Sequence, residues 1–203
     1  MIRVFLLAFL FEVGTVSAET LLAPKPFLNL QDGETVVFLG DSITHQALYT
    51  QYLENFYYTR YPDRRIHFHN AGVSGDKAAD ALARFNDDVA AFEPDHVTVL
   101  LGMNDGQYEP FSKETLETYQ AGMNEILARI DATGAEAIAL SPTMFDHHQL
   151  AVRKDDETFR FRDRPFDPGY NSLLAYYASW LRQTAQAGKV PFVNLWGPLN
   201  DIT

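Results

Sequence analysis

The stretch Val36-Val37-Phe38-Leu39-Gly40-Asp41-Ser42-Ile43-Thr44-His45 constrains this chain more than any other. Val36 to Leu39 make an apolar, β-branched and aromatic run of the kind that forms a buried strand. Gly40 ends the run and frees the backbone to turn sharply. Asp41 and Ser42 then place a carboxylate and a hydroxyl at the mouth of the turn, and helical sequence begins near Thr44. In open α/β sheets ligands bind at this junction of strand C-terminus and helix N-terminus, where the helix dipole favours developing negative charge. The competing reading is a plain N-cap, a role that Ser42 and Thr44 both suit.

Downstream, strands and helices alternate. A helix is expected from Thr44 to Tyr61, rich in aromatics and stopped by Pro62. Arg65 to Asn70 reads as a second strand, and Lys77 to Phe92 as a helix. His96 to Leu101 reads as a strand buried on both faces. Lys113 to Ala132 is the clearest amphipathic helix, with Leu116, Tyr119, Met123, Ile126, Leu127 and Ile130 on one stripe. Glu136 to Leu140 and Pro191 to Leu195 complete five strands, the last preceded by a helix from Tyr170 to Ala187. Five strands with helical crossovers imply a parallel sheet covered on both faces. At 203 residues, 46% of them hydrophobic, the chain suits one domain with a substantial core.

Three loops leave the carboxyl ends of these strands and so can converge. They are Gly40-Asp41-Ser42, Asn70 to Asp76, and Leu101 to Gly106. Acyl transfer by a serine needs an activated hydroxyl and donors aimed at the tetrahedral oxyanion. Gly75 offers an unobstructed backbone N–H, and Asn104 a side-chain amide. Taken singly, each has a plainer reading: Gly75 as a turn residue, and Asn104-Asp105-Gly106 as a common turn sequence.

In this order, however, the three blocks resemble those of the SGNH, or GDSL-type, hydrolase family of esterases. The resemblance runs from about residue 34 to the last strand. It implies Ser42 as nucleophile with Asp41 beside it, and an oxyanion hole of Ser42, Gly75 and Asn104. It also implies a three-layer, flavodoxin-like doubly wound sheet of order 2-1-3-4-5, and ester hydrolysis without a metal or other cofactor. The α/β-hydrolase alternative fits worse, because Gly40-x-Ser42-x-Thr44 lacks the second glycine of a nucleophile elbow. The family's last block, a short Asp-x-x-His carrying the base, has no counterpart in Leu199-Asn200-Asp201-Ile202-Thr203. The expectation is therefore a domain over residues 34–203 that is C-terminally incomplete. The alternative is a catalytically impaired binding domain that retains the pocket.

Histidines elsewhere are weaker candidates. His147 and His148 lie in the long connection Ser141 to Gly169, where they are possible replacement bases. That connection, charged from Arg153 to Arg164, reads either as a substrate-binding lid or as a solvated insertion. His45 is expected at the solvated mouth, His67 and His69 on one side of strand 2, and His96 at the rim opposite the site. Cysteine is absent, which excludes disulfides, a thiolate metal site and a cysteine nucleophile. The net charge of -11 argues against nucleic acid and anionic membranes as partners. Residues 1–18 read as a secretory signal, with Arg3, an apolar run from Val4 to Phe11, and Val16-Ser17-Ala18 as the cleavage site. Residues 19–33 read as an extended lead-in. The expected partner is a small-molecule or carbohydrate ester, met outside the cell or in the periplasm, without stable membrane insertion. The aromatic-rich first helix (Tyr49, Tyr52, Tyr57, Tyr58) is a candidate stacking surface for sugars, although such aromatics more often pack a helix against its sheet.

Overall fold

The computed structural model describes residues 28–153 and 166–202. The signal segment, most of the lead-in and residues 154–165 of the long connection lie outside the described residues. From Gln31 onward the chain forms one unit around a five-stranded parallel sheet. Its strands are β1 (Thr35–Gly40), β2 (His67–Gly72), β3 (His96–Leu100), β4 (Glu136–Leu140) and β5 (Phe192–Val193). Their spatial order is 2-1-3-4-5, as the resemblance implies.

Alternation along the strands assigns the two faces. Val37 and Leu39 of β1, Val97 and Val99 of β3, and Ala137 and Ala139 of β4 join one apolar cluster. The helices packed into that cluster are α3 (Ala78–Ala83), α4 (Phe85–Asp88), α5 (Lys113–Thr133) and α7 (Tyr170–Gly188). The expected stripe of α5 is buried at Leu116, Tyr119, Met123, Ile126 and Ile130. Ser112 caps α5, accepting the Thr115 N–H at 3.3 Å. On the opposite face Phe38 stacks on Phe68 and meets Tyr49 edge-on at 6.0 Å. Tyr49 and Tyr57 belong to α2 (Leu48–Arg60), so two of the four aromatics expected to stack on sugars pack inward. Tyr52 and Tyr58 are exposed.

Several boundaries differ from the sequence expectation. The first helix is two: α1 (Ser42–His45) and α2, separated at Ala47, whose φ is 61°. In a continuous helix the Thr44 carbonyl would accept from Leu48; here it accepts from Ala47 N at 3.0 Å and from Asn70 Nδ2 at 2.7 Å. β2 starts and ends two residues later than expected and carries Gly72 as its last residue. A Cβ on Gly72 would lie 2.3 Å from the His45 backbone nitrogen, so α1 rests directly on this glycine. The helix expected from Lys77 to Phe92 breaks at Arg84 into α3 and α4, followed by a 3₁₀ turn at Ala90–Phe92. β5 is only two residues long. A short helix, α6 (His147–Arg153), lies within the connection expected as a loop, and another, α8 (Trp196–Asn200), follows β5. Among the described residues no helix is long and apolar enough to cross a membrane.

Candidate active site

Asp41 caps α1: its Oδ1 accepts the Ile43 N–H at 2.9 Å, so Ser42 is the first helical residue rather than the cap. The Asp41 side chain is buried, which pushes its carboxyl up to about 6, with the Ile43 N–H opposing the rise and the Asp76 charge adding to it. Ser42 is half-buried at the start of α1. Gly75 adopts φ 89°, a conformation that L side chains rarely take, although a Cβ there would meet nothing within 4 Å. Backbone geometry, rather than space, therefore calls for glycine at this position. Among the described residues the Ser42 and Gly75 N–H groups have no protein acceptor.

Asn104 joins the three loops. Its Nδ2 donates to the Asp76 carbonyl at 3.0 Å and lies 3.4 Å from Asp41 Oδ2. Asp41 adjoins Ser42 and Asp76 adjoins Gly75, so the three sequence blocks do converge. The hydroxyl of Tyr108 donates to Asn104 Oδ1 at 2.9 Å.

Arg84 clamps the first two loops together. Its Nε pairs with Asp76 at 2.7 Å, its Nη1 with Asp88 at 2.9 Å, and its Nη2 donates to the Gly40 carbonyl at 3.2 Å. Asp105 sits behind Asn104, buried, and its Oδ1 accepts the Ala78 N–H at 2.8 Å. Burial pushes its carboxyl up to about 7, against the Ala78 hydrogen bond. A cavity of about 270 Å³ adjoins Asp105, lined also by Lys77, Gln107, Glu114 and Tyr119; Ser42 does not line it.

Among the described residues no histidine is hydrogen-bonded to Ser42. His45 turns its Nδ1 to the Gly72 carbonyl at 3.1 Å. His147 begins α6 edge-on to Phe145, its Nε2 enclosed without a partner, while His148 is exposed. His96 bridges Glu34 and Glu136 at 3.2 and 3.0 Å at the amino ends of the strands, opposite the site. His69 stacks on Phe92 at 3.5 Å. No group of three His, Cys, Asp or Glu among the described residues is placed to hold a metal ion.

Sequence reasoning singled out Ser42, Asp41, Gly75 and Asn104 but passed over Arg84 and Tyr108. Arg84 had a faint signal in Asp88 at i+4; Tyr108 had none.

Comparison with known proteins points the same way as this geometry. An acetylxylan esterase from Geobacillus stearothermophilus is 31% identical over 136 residues, covering 57% of this chain and 62% of that protein's length. The match thus spans less than two thirds of that relative. The crystal structure of a catalytic mutant of an acetylxylan esterase from the same organism superposes with a TM-score of 0.68 at 25% identity, covering 86% of this chain and 82% of the other. An alpha/beta hydrolase enzyme from the metagenome of Lake Arreo, Spain, shares the fold, with a TM-score of 0.67 at 23% identity over 85% of this chain and 82% of the other. The model of the GDSL-like lipase/acylhydrolase family matches residues 38–203, and this chain belongs to that family.

Proposed function

We propose that the protein is an exported serine esterase that removes acyl groups, in particular O-acetyl groups of carbohydrates. The observation that carries the reading is the Asn104 amide, whose Nδ2 is held by the Asp76 carbonyl at 3.0 Å where the loops bearing Ser42 and Gly75 meet. In this reading Ser42 Oγ attacks the acyl carbon, and the carbonyl oxygen becomes an oxyanion received by the N–H groups of Ser42 and Gly75 and by Asn104 Nδ2. Collapse expels the alcohol, and water then hydrolyses the acyl-serine. The steps require a base that takes the Ser42 proton and returns it to the departing alcohol, and among the described residues no histidine is hydrogen-bonded to Ser42. The acetyl-carbohydrate substrate is supported by the acetylxylan esterase relative. Export is supported by the pattern of Arg3, the apolar run and the small-residue site at Val16-Ser17-Ala18. The charge of -11 supports the absence of a nucleic-acid partner.

The test is hydrolysis of p-nitrophenyl acetate and of acetylated xylo-oligosaccharides, with fluorophosphonate labelling of Ser42. Ser42→Ala is expected to abolish labelling and, where a base serves Ser42, to lower kcat by about 10⁶, the loss seen when a serine nucleophile is removed from a complete triad. Asn104→Ala is expected to lower kcat by about 10²–10³ with little change in KM. Turnover that survives Ser42→Ala refutes the mechanism. A protein that binds acetylated sugars without turning them over or taking the label is a binding domain instead.

A further inference from the structure

We propose that Tyr108 is the positioning residue for the oxyanion hole, fixing which way the Asn104 amide faces, and that Phe145 and Phe166 hold Tyr108 in place to do so. The inference rests on the esterase reading for its catalytic consequence, but not for its geometry.

An asparagine amide has two nearly isosteric faces, one that donates and one that accepts. The Asp76 carbonyl only accepts, so the group 3.0 Å from it is Nδ2. The opposite face, Oδ1, then requires a donor, and the Tyr108 hydroxyl supplies it at 2.9 Å. Both side chains are buried, so without that hydroxyl Oδ1 has lost a partner that water does not readily replace. With the amide held from both sides, one N–H is spent on Asp76. The other has only the 3.4 Å contact to Asp41 Oδ2, too long to compete with an incoming oxyanion.

The support around Tyr108 is unusual for a loop residue. Gln107 and Tyr108 both take left-handed backbone conformations, with φ 58° and 62°. Strain of this kind persists only where surrounding contacts over-determine it. Those contacts are visible: the Tyr108 ring stacks on Tyr170 at 4.8 Å and meets Phe145 at 5.6 Å and Phe166 at 5.3 Å. Its carbonyl accepts the Asp167 N–H at 3.1 Å. Tyr170 in turn donates to the Met103 carbonyl at 2.6 Å, so the same aromatic group grips the backbone beside Asn104. Phe145 and Phe166 come from either end of the long connection between β4 and α7. That connection therefore contributes to the support of the oxyanion hole.

Two readouts test this on the full chain. In the amide ¹H–¹⁵N spectrum, Tyr108→Phe, which keeps the ring, is expected to move the Asn104 side-chain NH₂ pair and speed its hydrogen exchange. The rest of the spectrum should keep its dispersion, which reports that the variant folds. In ester turnover, Tyr108→Phe is expected to lower kcat about tenfold with KM unchanged, and to change kcat less than twofold when Asn104 is already Ala. An Asn104 signal unmoved by Tyr108→Phe overturns the proposal, as does an equal loss in both backgrounds. If the wild-type chain neither turns over ester nor takes the fluorophosphonate label, the esterase reading fails; in either case of absent turnover the Asn104 signal alone decides the positioning claim.

Discussion

Asp105→Asn is expected to leave stability nearly unchanged below about pH 4 and to raise it progressively as pH climbs to about 7, with a constant gain above that. Asp105 is 6% exposed, its Oδ1 accepts from Ala78 N at 2.8 Å, and its Oδ2 has no hydrogen-bond partner. Its carboxyl is raised from 3.8 to about 7, chiefly by burial. Between those two values the folded protein keeps a proton that the unfolded chain has released. Stability from this group is therefore complete below pH 4 and is lost as pH rises through 7. At 1.36 kcal/mol per unit, the span from pH 5 to 8.5 removes about 2–3 kcal/mol from the wild type. An asparagine keeps the Oδ1 acceptor for Ala78 and carries no charge to bury. Its new N–H₂ faces a region where the Tyr119 and Tyr177 hydroxyls also lack partners. The assay is urea unfolding at pH 5, 6, 7 and 8.5, followed by tryptophan fluorescence, with the wild-type and variant free energies subtracted at each pH. Subtraction cancels the titrating groups that do not interact with Asp105; of those that do, Asp41, raised to about 6, titrates within the range, whereas Tyr119, Tyr170 and Tyr177 are pushed up beyond it. A difference that stays flat from pH 5 to 8.5 refutes the argument, because an ordinary surface carboxylate would give that result.

Two substitutions probe the scaffold under the site. Arg84→Met strands the Asp76 carboxylate, which is 11% exposed at the side chain, and is expected to cost about 3 kcal/mol in urea unfolding; adding Asp76→Asn should return part of the loss, and an additive double variant counts against the clamp. Gly72→Ala places a methyl 2.3 Å from the His45 nitrogen, which is backbone and has no rotamer to escape through, so a loss of about 1–3 kcal/mol is expected and an unchanged Tm counts against α1 resting on this glycine.

The parts of the fold that were legible in the sequence are those fixed by local pattern. Val36 to Leu39, His96 to Leu100 and Glu136 to Leu140 are short apolar runs between turn residues, and each is a strand of the central sheet. The α5 stripe repeats at helical spacing and is buried except at Leu127, which is half-buried. The breaks were not legible, because contacts distant in sequence impose them. Nothing near Thr44 announces that Asn70, 26 residues on, will take its carbonyl and end α1. Arg84 interrupts an otherwise helical run because its guanidinium reaches the Gly40 carbonyl, 44 residues back. α6 and α8 carry no buried residue among the described ones, so they leave no apolar stripe to read.

The site divides along the same line. Ser42, Gly75 and Asn104 stand at strand ends, where alternation of strand and helix already locates a rim, so chemistry and position agree in the sequence. What holds them is a different set of residues. Asp105, read as part of a turn, is a buried carboxylate bonded to the first N–H of α3. Tyr108, four residues beyond Asn104, acts through a backbone conformation that its residue type disfavours. A tyrosine in a left-handed turn has no one-dimensional signature, since what stabilises it is a ring cluster drawn from residues 145, 166 and 170. Reactive groups must present recognisable atoms to a substrate, and that keeps them readable. Supporting groups need only fill space and complete hydrogen bonds, which many residue types do, and their roles become visible once the chain is folded.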